Sequence, residues 1–424
     1  MGSSQTADQR PASSRKIIAI EVKGSKRFAP ADVIAASGLQ IGTVAVDEDF
    51  KRAVRQLGET GAFADVAYKY SYNDEGTKLE FDVTDATEFV PVRFVDFVWF
   101  TPDQLMKAVR QYVPLFTGEL PLGGNMPGQV SDVLQAQLVE KAVPGTVQYE
   151  RIAHNGPVQA FEYSVTNVVI RIDKIEFAGA QAPELPLLQD AADNMPQRSY
   201  SQAAMQQFIQ RQLLPIYRAR GYLKAEFGTP QPTVIPTPAA DAGEGSRNTT
   251  FVDVSLGVTP GEQYALSKLN WIGNQEIPTT TLAGMVVAPE GKPLDAVRLG
   301  DELKAVKNLY ASKGYLMASV KANATFDDAA RTVTIELAVD EDAVYHMGDL
   351  QYRGVDNLLM AKLRDAWSLQ KGQVYDAGYL KQYLQDSHHL LPANLDWEVA
   401  PHVTANIQDK SVDVDIQYTA KATQ

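Results

Sequence analysis

Leu269-Asn270-Trp271-Ile272-Gly273 is an apolar-x-apolar-x run that stops at a glycine. Apolar residues at period two mark a half-buried strand, and glycine suits a backbone that must turn sharply out of it. The same pattern occurs as Ile20-Glu21-Val22-Lys23-Gly24, Ile175-Glu176-Phe177-Ala178-Gly179 and Leu350-Gln351-Tyr352-Arg353-Gly354. A degraded copy, Val95-Asp96-Phe97-Val98-Trp99, carries Trp99 where glycine is expected. Spaced copies of one strand ending point to an internal repeat.

Working outward, each run is followed by a short helical pattern, such as Pro30–Ser37 or 356–367, and then by a longer amphipathic one. Leu299, Leu303, Val306 and Tyr310 form one such stripe; Phe50, Val54 and Leu57 form another, and Met205, Ile209, Leu213 and Ile216 a third. Turn residues Gly42, Gly291-Lys292-Pro293 and Gly372 separate the two helices. The second helix closes at Gly61-Ala62-Phe63, Gly221-Tyr222-Leu223 or Gly314-Tyr315-Leu316; Gly145 is expected to do this in the second copy and 391–394 in the fifth. Glycine there can take the left-handed conformation that ends a helix. Every copy finishes on a strictly alternating strand: Leu79/Phe81/Val83, Phe161/Tyr163/Val165, Val252/Val254/Leu256, Val333/Ile335/Leu337 and Val412/Val414/Ile416. Hairpin residues such as Asn73-Asp74-Glu75-Gly76 precede it. The unit is β-α-α-β-β, and five units of about 80 residues fill the chain.

The 424 residues carry 39 Lys+Arg against 52 Asp+Glu, a net charge of −13 that disfavours a nucleic-acid partner. There is no cysteine, which removes disulfides, zinc-thiolate sites and cysteine nucleophiles. The most apolar stretch, 89–100, is too short to span a bilayer as a helix and is interrupted by Arg93 and Asp96. Residues 1–14 read as a flexible polar tail.

This element order, with its strand-ending and helix-ending glycines, resembles POTRA domains, and five in tandem are similar to the periplasmic part of BamA-type outer-membrane assembly proteins. The resemblance covers residues 15–424 and gives an α+β array, expected to be elongated, of three-stranded sheets with two helices on one face. Its units are 15–87, a divergent 88–167, 168–260, 261–343 and 344–424. The resemblance implies a bacterial, periplasmic scaffold that binds unfolded outer-membrane proteins, assembly-machine subunits or periplasmic chaperones, held to the outer membrane by a β-barrel after Gln424 if one follows. It also admits a stand-alone interaction protein or the array of a related secretion channel.

No enzyme, metal or cofactor is expected. His154, His346, His388, His389 and His402 lack metal-ligand spacing, and no GxSxG or phosphate-loop motif is present. Asp327-Asp328 and Asp340-Glu341-Asp342 read as solvated turns, and Trp271, Tyr352, Tyr222 and Tyr315, in equivalent slots, as core.

In the family's arrangement the third strand is central and the second lies at an edge, where a guest strand can pair through main-chain bonds. The candidate binding edges are 63–70 (Phe63, Val66), 147–152, 223–227 (Leu223, Ala225, Phe227), 316–322 (Leu316, Ala318, Val320) and 395–399 (Leu395, Trp397, Val399). The third, beside the Pro-rich segment 229–248, and the fifth are the first choices. Gly24, Gly179, Gly221, Gly273, Gly314 and Gly354 are the expected structural glycines, with positive φ at Gly221 and Gly314.

Overall fold

The computed structural model describes residues 11–153, 155–195, 198–237 and 248–421. Most of the tail, His154, much of the Pro-rich segment (Pro238, Gly243, Gly245, Ser246) and Gln424 lie outside the described residues.

Unit one runs β1 (Ile17–Lys23), α1 (Pro30–Ser37), α2 (Asp47–Glu59), β2 (Phe63–Asn73) and β3 (Gly76–Asp85). Unit two runs β4 (Phe89–Val95), α3 (Pro102–Tyr112), β5 (Glu119–Pro121), α4 (Met126–Glu140), β6 (Thr146–Ala153) and β7 (Val158–Thr166). Unit three has β8 (Val169–Ala178), α5 (Glu184–Asp193), α6 (Gln202–Phe208), a π turn at Ile209–Leu213, α7 (Leu214–Arg218), β9 (Glu226–Phe227), β10 (Gln231–Ile235) and β11 (Thr249–Thr259). Unit four is β12 (Ala265–Ile272), α8 (Thr279–Met285), α9 (Ala296–Ser312), β13 (Ser319–Asp327) and β14 (Thr332–Asp340). Unit five is β15 (His346–Arg353), α10 (Asn357–Ala366), α11 (Tyr379–Ser387), β16 (Asp396–Asn406) and β17 (Ser411–Lys421).

Each sheet places the last strand of its unit in the middle, parallel to the first strand and antiparallel to the second, as in β1-β3-β2, β12-β14-β13 and β15-β17-β16. The central strands alternate buried and outward residues, with Leu79, Phe81 and Val83 or Val333, Ile335 and Leu337 facing the core. Two sheets differ from the three-stranded expectation. In unit two, β5 lies in the Gly/Pro-rich insertion and pairs with Phe89–Pro91, giving β5-β4-β7-β6. In unit three the order is β10-β11-β8, with β9 pairing separately at the end of β11.

The strand-ending glycines have one mechanical cause. Gly24, Gly179, Gly273 and Gly354 have φ between +77° and +93°, and a Cβ on any of them would run into a carbonyl of the neighbouring central strand. In unit two the left-handed residue is Asp96 (φ 62°), directly after Val95, so the repeat aligns on Asp96 and not on Trp99. Gly145 likewise does not end the second helix of that unit: Ala142 (φ 55°), two residues past α4, takes the left-handed place.

The described residues form two compact bodies: those of 11–178, 189–208 and 228–257 in one, those of 179–188, 209–227 and 258–421 in the other. In the first, one continuous cluster of buried side chains runs from Ile17 through Phe63 and Leu105 to Tyr163, joining units one and two. Arg27 stacks 3.8 Å over the Phe89 ring and ion-pairs with Glu119 at that junction. In the second, the same joint is built twice. The Gly221 carbonyl accepts from the Tyr264 amide, and the Gly314 carbonyl from the Tyr345 amide, both at 2.8 Å. Tyr222 packs edge-on against Tyr217 and Tyr315 against Tyr310, while Leu223 and Leu316 insert against the buried clusters of units four and five.

Candidate partner-binding edges

A strand edge can receive a guest only if its outward N–H and C=O groups are unpaired. The first-strand edges are partly closed. The turn between helices folds back on them: the Gly42 amide donates to Ile17 O, Gly291 to Leu266 O and Gly372 to Met347 O, each at 2.7 Å. In unit three the Tyr200 amide donates to Ile170 O, and in unit two β5 covers β4. No such turn covers the second strand among the described residues, although in unit two Gln135 Oε1 accepts from the Val147 amide of β6 at 2.9 Å. The helix-side positions of the second strand pair opposite the buried residues of the central strand, as Ala322 does with Leu337 and Ala324 with Ile335.

The expected edge residues separate into two groups. Phe63 and Val66 lie in β2, Val320 in β13, and Trp397 and Val399 in β16. Leu395 immediately precedes β16. Leu223, Ala225, Leu316 and Ala318 are not edge-strand residues. They form the turn after the helix-ending glycine, with Ala225 and Ala318 buried and the two leucines committed to the next unit. Their apolar character comes from the joint. Phe227 belongs to the two-residue β9, and the longer edge of unit three is β10.

Proline then distinguishes the edges. Pro232 lies in β10 and Pro401 in β16, at positions paired with Val254 and Ile416. Proline is accommodated in a sheet where its missing N–H would have faced away from the neighbour, so each removes one outward donor. β2, β6 and β13 contain none. The third and fifth edges, first choices on sequence grounds, are thus the blunted ones.

Residues with possible acid–base chemistry serve local structure. Asp85 Oδ2 accepts from the Lys26 and Arg27 amides at 2.7 and 3.0 Å, and Glu341 Oε1 accepts from Gln275 and Glu276 at 2.9 and 3.0 Å, clasping the loop after the strand-ending glycine. Asp327 caps its hairpin through the Ala330 amide, and Asp328 binds Lys224 and the Tyr264 hydroxyl. Hydrogen bonds from Lys69 and Lys23 hold the Glu80 carboxyl below the usual range on the solvent face of sheet one. Among the described residues no cluster of His, Asp and Glu has the geometry of a metal site, and no helix is long and apolar enough to cross a membrane.

Residues 264–342, which span β12 to β14, match the POTRA family model, described as a surface antigen variable number repeat. The fourth unit is a POTRA domain. The chain as a whole is an α+β tandem array in which the other units share the strand order of this POTRA unit, with the additions noted in units two and three. It is 24% identical over 205 residues to a putative outer membrane protein assembly factor of Treponema pallidum (strain Nichols). That match covers 48% of this chain and 24% of the relative, so the chain spans about a quarter of the length of the curated relative it matches. Among solved structures it is similar to POTRA3-5 of Haemophilus influenzae BamA (21% identity, TM-score 0.44, 59% of this chain and 96% of that one). It is also similar to POTRA1-3 of Omp85 from Anabaena (18% identity, TM-score 0.27, 61% and 98%).

Proposed function

We propose that this chain is the periplasmic scaffold and client-binding region of an outer-membrane β-barrel protein assembly machine, with its units divided near residues 88, 168, 261 and 344. Extended segments of unfolded barrel proteins, or of accessory subunits and chaperones, add as an extra strand to the second-strand edges. Binding needs no cofactor and no catalysis, because main-chain bonds supply it and tolerate many client sequences. The observation that carries this reading is the asymmetry of the edges: the turn between the helices covers the start of the first strand, whereas no such turn lies on the nine residues of β13. The donor-intact edges of units one and four are the preferred sites, ahead of β10 and β16 with their prolines.

The test is amide exchange of the whole chain with and without a ten-residue alternating peptide from a barrel strand. Protection is expected along 319–327, and Ala324→Pro, at an exposed position on that edge, should abolish it there while leaving the β14 amides slow. Protection confined to helices, or binding indifferent to Ala324→Pro, would reject strand addition at this edge. Affinity should be weak, since a short strand gains few contacts and loses chain entropy on ordering.

A further inference from the structure

Around Asp96 lies a cleft of about 560 Å³ that strand addition does not use. Its walls come from the loop after β4 (96–102), from Tyr200 just before α6 and from 229–234, all within the first of the two bodies. Clefts of roughly 300–1,000 Å³ with an apolar, aromatic lining and a few convergent polar groups are the usual seats of small ligands. Here Phe94, Trp99, Phe100 and Tyr200 supply the aromatic surface, and Pro230 and Pro232 extend the apolar lining.

Two polar groups of this lining have bonding capacity that the protein leaves unused. Asp96 Oδ1 accepts from the Gln202 amide at 2.7 Å, which ties the loop to the first residue of α6. The other oxygen, Oδ2, receives no hydrogen bond or ion pair among the described residues, and it is not sealed from solvent. Tyr200 is only 7% exposed, yet its hydroxyl also has no partner among the described residues and is not sealed. Burial, and then the charge of Asp96, pushes the Tyr200 pKa up to about 12, so the hydroxyl stays protonated within the field of the carboxylate. Burial also raises the Asp96 pKa, against the Gln202 hydrogen bond, and the charge of Glu162 adds to the rise. A half-satisfied carboxylate in such a place gains from any cation that reaches it. Lys141 does not fill this role: it lines the cleft, but its ammonium lies 5.9 Å from the Phe100 ring centroid and forms no ion pair with Asp96.

The missing partner must carry positive charge and donate to both a carboxylate oxygen and a hydroxyl oxygen. A primary ammonium has the charge and three donors, whereas a quaternary ammonium has the charge alone. An anion would be repelled by Asp96 and Glu162. The aromatic faces add attraction for the same cation and accommodate an apolar stem. We propose that this cleft binds a small primary amine on an apolar stem, its ammonium donating to Asp96 Oδ2 and to the Tyr200 hydroxyl oxygen. This does not rest on the strand-addition reading.

The probe is phenethylamine, an ammonium on a short stem ending in a phenyl ring, titrated calorimetrically into the whole chain. Binding should slow exchange of the Gln202 amide. Asp96→Asn, which keeps an acceptor for that amide, should weaken binding at least tenfold, and Tyr200→Phe, which removes only the hydroxyl, about three- to tenfold. The trimethylammonium analogue on the same stem, having no N–H, should bind at least tenfold more weakly than phenethylamine. Lys141→Gln removes a competing positive charge and should tighten binding about twofold. Unchanged amide exchange in β4 and β7 shows that each variant is folded. Vesicles of phosphatidylethanolamine present the same ammonium on a lipid headgroup. Co-sedimentation with them but not with phosphatidylcholine, lost in Asp96→Asn, assigns the ammonium to a lipid; binding of phenethylamine without co-sedimentation assigns it to a soluble amine. No binding of phenethylamine at millimolar concentration, or binding that both Asp96→Asn and Tyr200→Phe leave undiminished, overturns the site. Equal binding of the trimethylammonium analogue overturns the hydrogen-bonded ammonium.

Discussion

Gly273 and Gly291 lie in the same POTRA unit and both have positive φ, +83° and +73°, yet their surroundings are opposite. Nothing lies within 4 Å of where a Cβ on Gly291 would sit. A Cβ on Gly273 would overlap the Val339 carbonyl oxygen and lie 3.3 Å from its carbon, and this neighbour is the backbone of the central strand, which cannot swing aside. Replacing either by alanine incurs the same left-handed strain, about 1–2 kcal/mol. Gly273→Ala adds overpacking of about 1–3 kcal/mol, because β12 must move away from β14. The difference between the two variants cancels the φ cost and isolates the contact, at about 2 kcal/mol. A chain of several units does not melt as one two-state transition, so the readout is native-state amide exchange at Ile335 and Leu337 in the middle of β14. Those amides should exchange roughly 30-fold faster in Gly273→Ala than in Gly291→Ala, since each 1.4 kcal/mol is a factor of ten. Equal acceleration in the two variants would show that the strand-ending glycine is required for its φ alone and that the close approach is unimportant.

Two further outcomes are expected. Leu316→Ala should loosen the joint to unit five by about 1–2 kcal/mol, below the usual cost of a fully buried leucine because Leu316 is half-buried; faster exchange of the Tyr345 amide, bonded to Gly314 O, is the measurement, and an unchanged rate there would remove the leucine from the joint. Burial raises the Asp96 pKa, against the opposing hydrogen bond from the Gln202 amide, so folding favours its protonated form and its contribution to stability falls as pH rises through the folded value. Asp96→Asn keeps an acceptor for that amide and tolerates φ 62°, so it should match or exceed the parent in stability at neutral pH and flatten the pH dependence above the ordinary aspartate range; lower stability at neutral pH would refute this.

The order of elements could be read from the chain because it depends on local chemistry. Alternation in Val333, Ile335 and Leu337 specifies a half-buried strand, the stripe through Leu299, Val306 and Tyr310 specifies a helix, and the glycine that ends the first strand in four of the units records a backbone conformation few other residues adopt. Repetition turned these weak signals into one architecture. Reading failed where another residue could meet the same backbone demand: Asp96 and Ala142 hold left-handed conformations without being glycine, so the anchors chosen in unit two, Trp99 and Gly145, were the wrong ones.

What tertiary structure alone decided is which apolar residues face a partner strand and which are buried in a neighbour. Leu223 and Leu316 have the composition of edge residues, and no local periodicity shows that the turn after Gly221 and Gly314 carries them into the core of the following unit. The closing of first-strand edges is equally non-local, since Gly42, Gly291 and Gly372 reach back some 25 residues to bond Ile17, Leu266 and Met347. The prolines at 232 and 401 were visible in the sequence, but they acquired direction only from the register that sets each residue's N–H toward its neighbour or away from it. Periodicity says which residues share a face; hydrogen-bond parity across a pair of strands says which edge they arm, and that parity is a property of the folded pair.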